Sequence, residues 1–128
     1  MNYTAVIAGI AIIFFTLTAS KTKDAPKTAA SISFSKDVMP VLTKKCLDCH
    51  TTEDESSNHF NVDTYEALIK DSKHGPSILP GKGEKSMIIT KMRGTADFGS
   101  RMPKRGSLVP DSVITIISKW IDQGAKKN

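Results

Sequence analysis

The sequence predicts a small all-α domain of about four short helices with long loops between them. Three observations carry this. No alternating apolar and polar run of strand length occurs in the 128 residues. Apolar residues recur instead at helical spacing in four places. Between those places Gly and Pro interrupt the chain at short intervals.

The chain opens on an uncharged apolar run, Ala5 to Leu17, followed by Thr18, Ala19, Ser20 and then Lys21. Its 13 residues match the hydrophobic core of a secretory signal better than a spanning helix, which needs about 20. Residues 1–20 therefore read as a signal peptide cut near the small residues, or else as an N-terminal membrane anchor. Either reading exports the rest of the chain, to the periplasm or to the periplasmic face of a membrane. No cysteine lies near the run, which excludes a lipoprotein anchor. Residues 21–33 (KTKDAPKTAASIS) hold almost no large apolar side chain and read as a flexible linker.

From Phe34 the spacing turns helical. Phe34, Val38, Val41 and Leu42 share one face that runs towards Cys46, with Ser33 or Ser35 placed to cap the start and Pro40 near the beginning. After a polar loop, Asp63 and Glu66 have the spacing of a capping box, ahead of Tyr65, Leu68 and Ile69 as an inward face. Pro80-Gly81 suits the centre of a type II turn. Ser86 to Arg93 reads as a third helix, and Gly94 to Pro110 as a long irregular segment. In the last helix Val113, Ile116, Ile117, Trp120 and Ile121 form an apolar stripe that ends at Gly124. Trp120 is expected in the core or against a bound group. The folded domain spans 34–125, with a short basic tail at 126–128. So much irregular chain around so few short helices implies that something other than side chains fills the middle.

A formal charge of +5 invites a nucleic-acid reading, but the excess sits at the ends. Setting aside Lys21, Lys23, Lys27, Lys126, Lys127 and Asp24 leaves 13 basic against 12 acidic side chains. A duplex binder needs its basic stripe on a folded face, so nucleic acid is not an expected partner. Within the domain the signs are segregated. Asp48, Glu53, Asp54, Glu55, Asp63 and Glu66 form an acidic stretch without the ligand order of a calcium loop. Lys82 to Arg105 holds seven basic residues against Glu84 and Asp97, a face suited to steering an acidic redox protein.

The two cysteines of the chain stand together as Cys46-Leu47-Asp48-Cys49, followed at once by His50. C-x-x-C-H is the attachment signature of c-type haem. Two thiols one helical turn apart add across the two vinyl groups of a porphyrin, and the next imidazole reaches its iron. Three rival readings exist. The cysteines are a buried structural pair, a thioredoxin-like dithiol, which needs a βαβ setting, or half of a zinc site, which needs two more ligands. A second axial ligand would come from Met39, Met87, Met92, Met102, His59 or His74. Met39 shares the helix of the cysteines. Met87 and Met92 suit core packing, and His59 and His74 suit a polar surface. Met102 lies between Arg101 and Pro103 in a loop with no packing stripe, and its thioether is the expected sixth ligand.

The segments Phe34-Ser-Lys-Asp-Val-Met-Pro-Val-Leu, Cys46 to His50, Asp63-Thr-Tyr-Glu-Ala-Leu, Leu79-Pro-Gly-Lys, Ser86-Met-Ile-Ile, Arg101-Met-Pro and Trp120-Ile-Asp-Gln-Gly-Ala together resemble the planctomycete-type cytochrome c domains, a branch of the class I cytochromes c. The resemblance spans Phe34 to Ala125 and departs from the pattern at Glu53-Asp54-Glu55 and at Gly94 to Gly99. It implies a cytochrome c-like helical haem fold in which first and last helices cross, with His50 proximal and Met102 distal. The expectation is a monohaem carrier of single electrons, with one haem c on Cys46, Cys49, His50 and Met102, and redox proteins as partners. The alternatives are a haem module of a redox enzyme complex, a haem sensor with an openable distal site, and a thiol-disulfide oxidoreductase.

Overall fold

The computed structural model describes residues 30–53 and 59–128. The apolar run at 1–20, most of the linker, and Asp54 and Glu55 of the acidic stretch lie outside the described residues. Among the described residues no helix is long and apolar enough to cross a membrane.

Four α-helices make up the described fold: α1 (Met39–Lys45), α2 (Tyr65–Ile69), α3 (Met87–Arg93) and α4 (Asp111–Asp122). No strand occurs among the described residues. A wider π-helical turn, Phe34–Val38, leads into α1, and the Ser33 hydroxyl accepts from the Lys36 N–H at 3.4 Å to cap it. The π turn lies just before Pro40, whose ring lacks an N–H and crowds the preceding turn of a regular helix. Short 3-10 turns occupy Leu47–Cys49 and Gly83–Lys85.

The core is built where these elements meet. Phe34 stacks edge-on against Tyr65 with ring centroids 5.1 Å apart, and lies tilted on Trp120 at 5.3 Å. Trp120 donates its indole N–H to the Lys126 carbonyl at 2.9 Å, and the Tyr65 hydroxyl donates to the Ala125 carbonyl at 2.8 Å. Both polar handles are thus satisfied while the Trp120 ring is buried and the Tyr65 ring partly so. Val38 and Leu42 from the first helical stretch, Leu68 from α2, Ile89 from α3, and Ile114, Ile117 and Ile121 from α4 complete the buried set.

α4 closes as its sequence predicts. The Gly124 N–H bonds the Ile121 carbonyl at 2.9 Å and the Ala125 N–H bonds the Trp120 carbonyl at 3.0 Å, the two bonds of a Schellman motif. The residues that follow do not hang free. The Asn128 side chain accepts from the Phe34 N–H at 2.7 Å, its carbonyl accepts from the Ser35 N–H at 3.0 Å, and Lys127 reaches Glu66 at 2.6 Å. Ahead of the first helical turn, the Ile32 N–H bonds the Gln123 side chain at 2.9 Å. The Pro80-Gly81 turn also forms as expected, with the Lys82 N–H on the Leu79 carbonyl at 2.8 Å and Gly81 at φ +78°.

Three sequence expectations are corrected by packing. The cap of α2 is Thr64, which accepts from the Ala67 N–H at 3.1 Å. Asp63 is engaged elsewhere, accepting from the Thr52 hydroxyl at 2.7 Å, and Glu66 turns outward to Lys127. Ile69 is exposed, because a helix of five residues has only one buried face and Leu68 occupies it. In α4 the stripe is rotated: Ile116 is exposed, and Ile114 and Ser118 are buried instead. The rotation follows from packing against two neighbours, the Phe34 turn and the segment from Gly83 through α3. Ser118 is tolerated inside because its hydroxyl donates to Glu84 at 2.8 Å, and the same carboxylate receives Arg93 at 3.1 Å.

Candidate haem site

The Cys46 N–H bonds the Leu42 carbonyl at 2.8 Å, which completes the last turn of α1. The chain then tightens into the 3-10 turn, where the Cys49 N–H reaches the Cys46 carbonyl at 3.2 Å and the His50 N–H reaches Leu47 at 3.3 Å. This places Cys46 and His50 on the wall of a cavity of about 250 Å³ with a predominantly apolar lining. Cys49 is exposed and does not line it. Other walls come from Met87, Ile88 and Met92 of α3, from Phe98, Ser100, Met102 and Lys104 of the following loop, and from His74 and Ser77.

His50 is oriented by its backbone neighbours. Its Nδ1 lies 2.9 Å from the Phe60 carbonyl, and its own carbonyl accepts from the Val62 N–H at 2.9 Å. A carbonyl can only accept, so Nδ1 carries the proton and Nε2 keeps its lone pair. That is the tautomer a metal-ligating histidine needs, with the outer hydrogen bond fixing the ring. The Phe60 ring packs edge-on against the imidazole at 5.1 Å between centroids.

Of the six candidates for a second axial ligand, four line this cavity: Met87, Met92, Met102 and His74. Met39 packs at the edge of the hydrophobic core, and His59 lies in a separate depression beside Thr52 and Lys70. Met102 is half-buried, and its N–H is tied to the Lys91 carbonyl at 2.9 Å. The Met102-Pro103 peptide bond is cis. Trp120 belongs to the core and does not touch the cavity.

Burial pushes the Cys46 thiol up to about 11, helped by the neighbouring Cys49 and opposed by Lys45. A thiol held neutral is a poor match to a redox dithiol, whose attacking cysteine needs a lowered pKa, and no strand of a βαβ unit is present among the described residues. The zinc reading finds no group of three His, Cys, Asp or Glu side chains able to hold an ion among the described residues.

Haem c fits this lining on three counts. The wall carries a thiol of the attachment motif, an imidazole with Nε2 available, and thioether sulfurs suited to iron. The apolar lining matches a porphyrin face. Lastly, the Ser77 hydroxyl is buried on this wall with no hydrogen-bond partner among the described residues. Such a group is costly in a dry cavity unless an occupant supplies an acceptor. Sequence reading missed Ser77, because a lone Ser between Pro76 and Ile78 carries no signal of its own.

Comparison with known proteins agrees. No curated protein and no solved structure matches the chain. The family model described as Planctomycete cytochrome C matches residues 46–106, a span that contains every residue lining the cavity. That segment, a little under half of the chain, is similar to the planctomycete-type cytochrome c domains.

Proposed function

We propose that this protein is an exported monohaem c-type cytochrome that carries single electrons, with His50 and Met102 as axial ligands. The observation that carries the reading is the gathering of Cys46, His50 and Met102 on one apolar cavity, with His50 Nδ1 already committed to the Phe60 carbonyl. When bound, haem c supplies an iron that takes up and returns one electron. Cys46 and Cys49, the two cysteines of the chain, suffice to anchor one such group through thioether bonds. His50 presents Nε2 on one side, and Met102 offers a soft sulfur that favours the ferrous state and raises the potential relative to two imidazoles. The apolar lining disfavours the extra charge of the ferric state, which supports the same preference.

No substrate needs to reach the metal in such a carrier, so the reading is an electron-transfer protein and not an enzyme in its own right. The apolar run at 5–17 supports export, to the periplasm or to its membrane face. Among the basic residues of the 82–105 segment, Arg93 is taken up by Glu84 at 3.1 Å and Asp111 at 3.6 Å. Lys91 and Lys104 stand at the cavity, which supports docking of an acidic redox protein over it.

The test is the absorption spectrum of protein matured in a periplasm, with Met102→Ala beside it. The reading expects the reduced pyridine spectrum of one doubly thioether-linked haem per chain, and a long-wavelength iron–sulfur band that the variant loses. Colourless protein, or a band unaffected by Met102→Ala, would overturn it.

A further inference from the structure

Arg101 and Met102 are consecutive, and they bond to consecutive carbonyls at the end of α3. The Met102 N–H donates to the Lys91 carbonyl at 2.9 Å, and Arg101 Nε–H donates to the Met92 carbonyl at 2.7 Å. The last carbonyls of a helix run short of intrahelical donors, and Arg101 supplies one to Met92. The Lys91 carbonyl accepts from the Gly94 N–H at 3.3 Å as well as from Met102, so the Met102 backbone shares the cap of α3. A cation at a helix C-terminus also meets the negative end of its dipole. Arg101 is exposed and forms no ion pair among the described residues, and its Nε–H contact with Met92 holds the guanidinium at this helix end.

The contact is shaped as well as charged. Gly94 ends α3 at φ +76°, and a Cβ there would lie 3.0 Å from Arg101 Cδ and 3.2 Å from Cγ. The stem of Arg101 thus occupies the space that the missing side chain leaves. Further along the loop, Lys91 donates to the Phe98 carbonyl and sits 4.0 Å above the Phe98 ring. The irregular segment between Gly94 and Met102 is in this way fastened back onto the helix that forms the neighbouring cavity wall.

We infer that Arg101 is a positioning residue that holds the Met102 thioether in the cavity by clamping its loop to the C-terminal carbonyls of α3. This rests on the reading of Met102 as sixth ligand. A thioether is a weak ligand on a flexible side chain, so its occupancy depends on how firmly the backbone beneath it is held. Release of the clamp increases the population of the opened loop, and an added ligand binds in proportion to that population.

The experiment is imidazole titration of the ferric, haem-loaded protein, with the iron–sulfur band followed in parallel. Arg101→Gln is expected to raise imidazole affinity about tenfold, the effect of losing one charge-assisted hydrogen bond. Gly94→Ala, which leaves the charge but displaces the stem, is expected to raise it as well. Arg101→Lys keeps the stem and a charged donor, and restores most of the wild-type affinity. Lys119→Gln, an equal loss of charge on the exposed side of α4, changes nothing. Met102→Ala binds imidazole tightest of all and lacks the band. If Met102→Ala opens the site while Arg101→Gln titrates like wild type, the clamp is refuted and the ligand assignment stands. If Met102→Ala itself titrates like wild type, the ligand assignment fails and the clamp with it.

Discussion

At Gly83 the segment that leads into α3 packs tightly against α4. A Cβ added there would lie 2.3 Å from the Ser118 carbonyl oxygen and 2.5 Å from its hydroxyl oxygen. Ordinary contact begins near 3.4 Å, so Gly83→Ala must drive the two backbones apart by about 1 Å. Overpacking of this kind costs about 1 to 3 kcal/mol. Two hydrogen bonds stretch with it, Gly83 N–H to Asp122 at 2.7 Å and Ser118 to Glu84 at 2.8 Å. Each is worth about 1 kcal/mol, and a partial loss brings the total to about 3 kcal/mol. For a domain of this size that corresponds to a fall in Tm of about 12 to 24 °C. Gly81→Ala is the internal control. It has no atom within 4 Å of the new Cβ, only a φ of +78°, and should cost about 1 kcal/mol from backbone strain alone. Urea unfolding of the haem-loaded protein, followed by far-UV ellipticity, measures both variants. If Gly83→Ala loses no more stability than Gly81→Ala, the close approach does not govern this packing.

Three other outcomes follow from the same geometry. Ser77→Ala should lower the stability of the haem-loaded protein by about 1 kcal/mol, since its hydroxyl gains an acceptor only from the occupant; equal or greater stability in urea unfolding would show that it has none. Glu84 is held below its usual 4.5 by hydrogen bonds from Arg93 and then Ser118. A depressed carboxylate stabilises the fold above its unfolded pKa and loses that contribution as the pH falls below it, so Glu84→Gln should flatten the decline in Tm between neutral pH and the acid side of 4.5. An unchanged acid slope would assign the decline to other groups. The rate of electron exchange with an acidic redox protein should fall as salt rises, and Lys104→Gln should weaken that dependence; a rate indifferent to salt in stopped-flow mixing would remove steering from the basic segment.

The C-x-x-C-H motif is legible in the sequence because its pattern is local. Cys46, Cys49 and His50 lie within one turn of chain, and no distant residue is needed to bring them together. Helix positions are legible for the same reason, from the Ser33 cap to the turn at Gly81 and the close at Gly124. Everything decided by contact between distant segments had to wait for the fold. Nothing in the spacing of His50 and Phe60 announces that one fixes the tautomer of the other across 10 residues. Nor does it announce that His74 and Met87 share a wall with Met102 while Met39 and His59 do not. The α4 stripe shows the boundary between the two kinds of information. Its period is set by 3.6 residues per turn and can be read directly. Which side of that helix turns inward, with Ile114 and Ser118 buried and Ile116 exposed, depends on what the Phe34 turn and Gly83 bring against it, and only the assembled core supplies that.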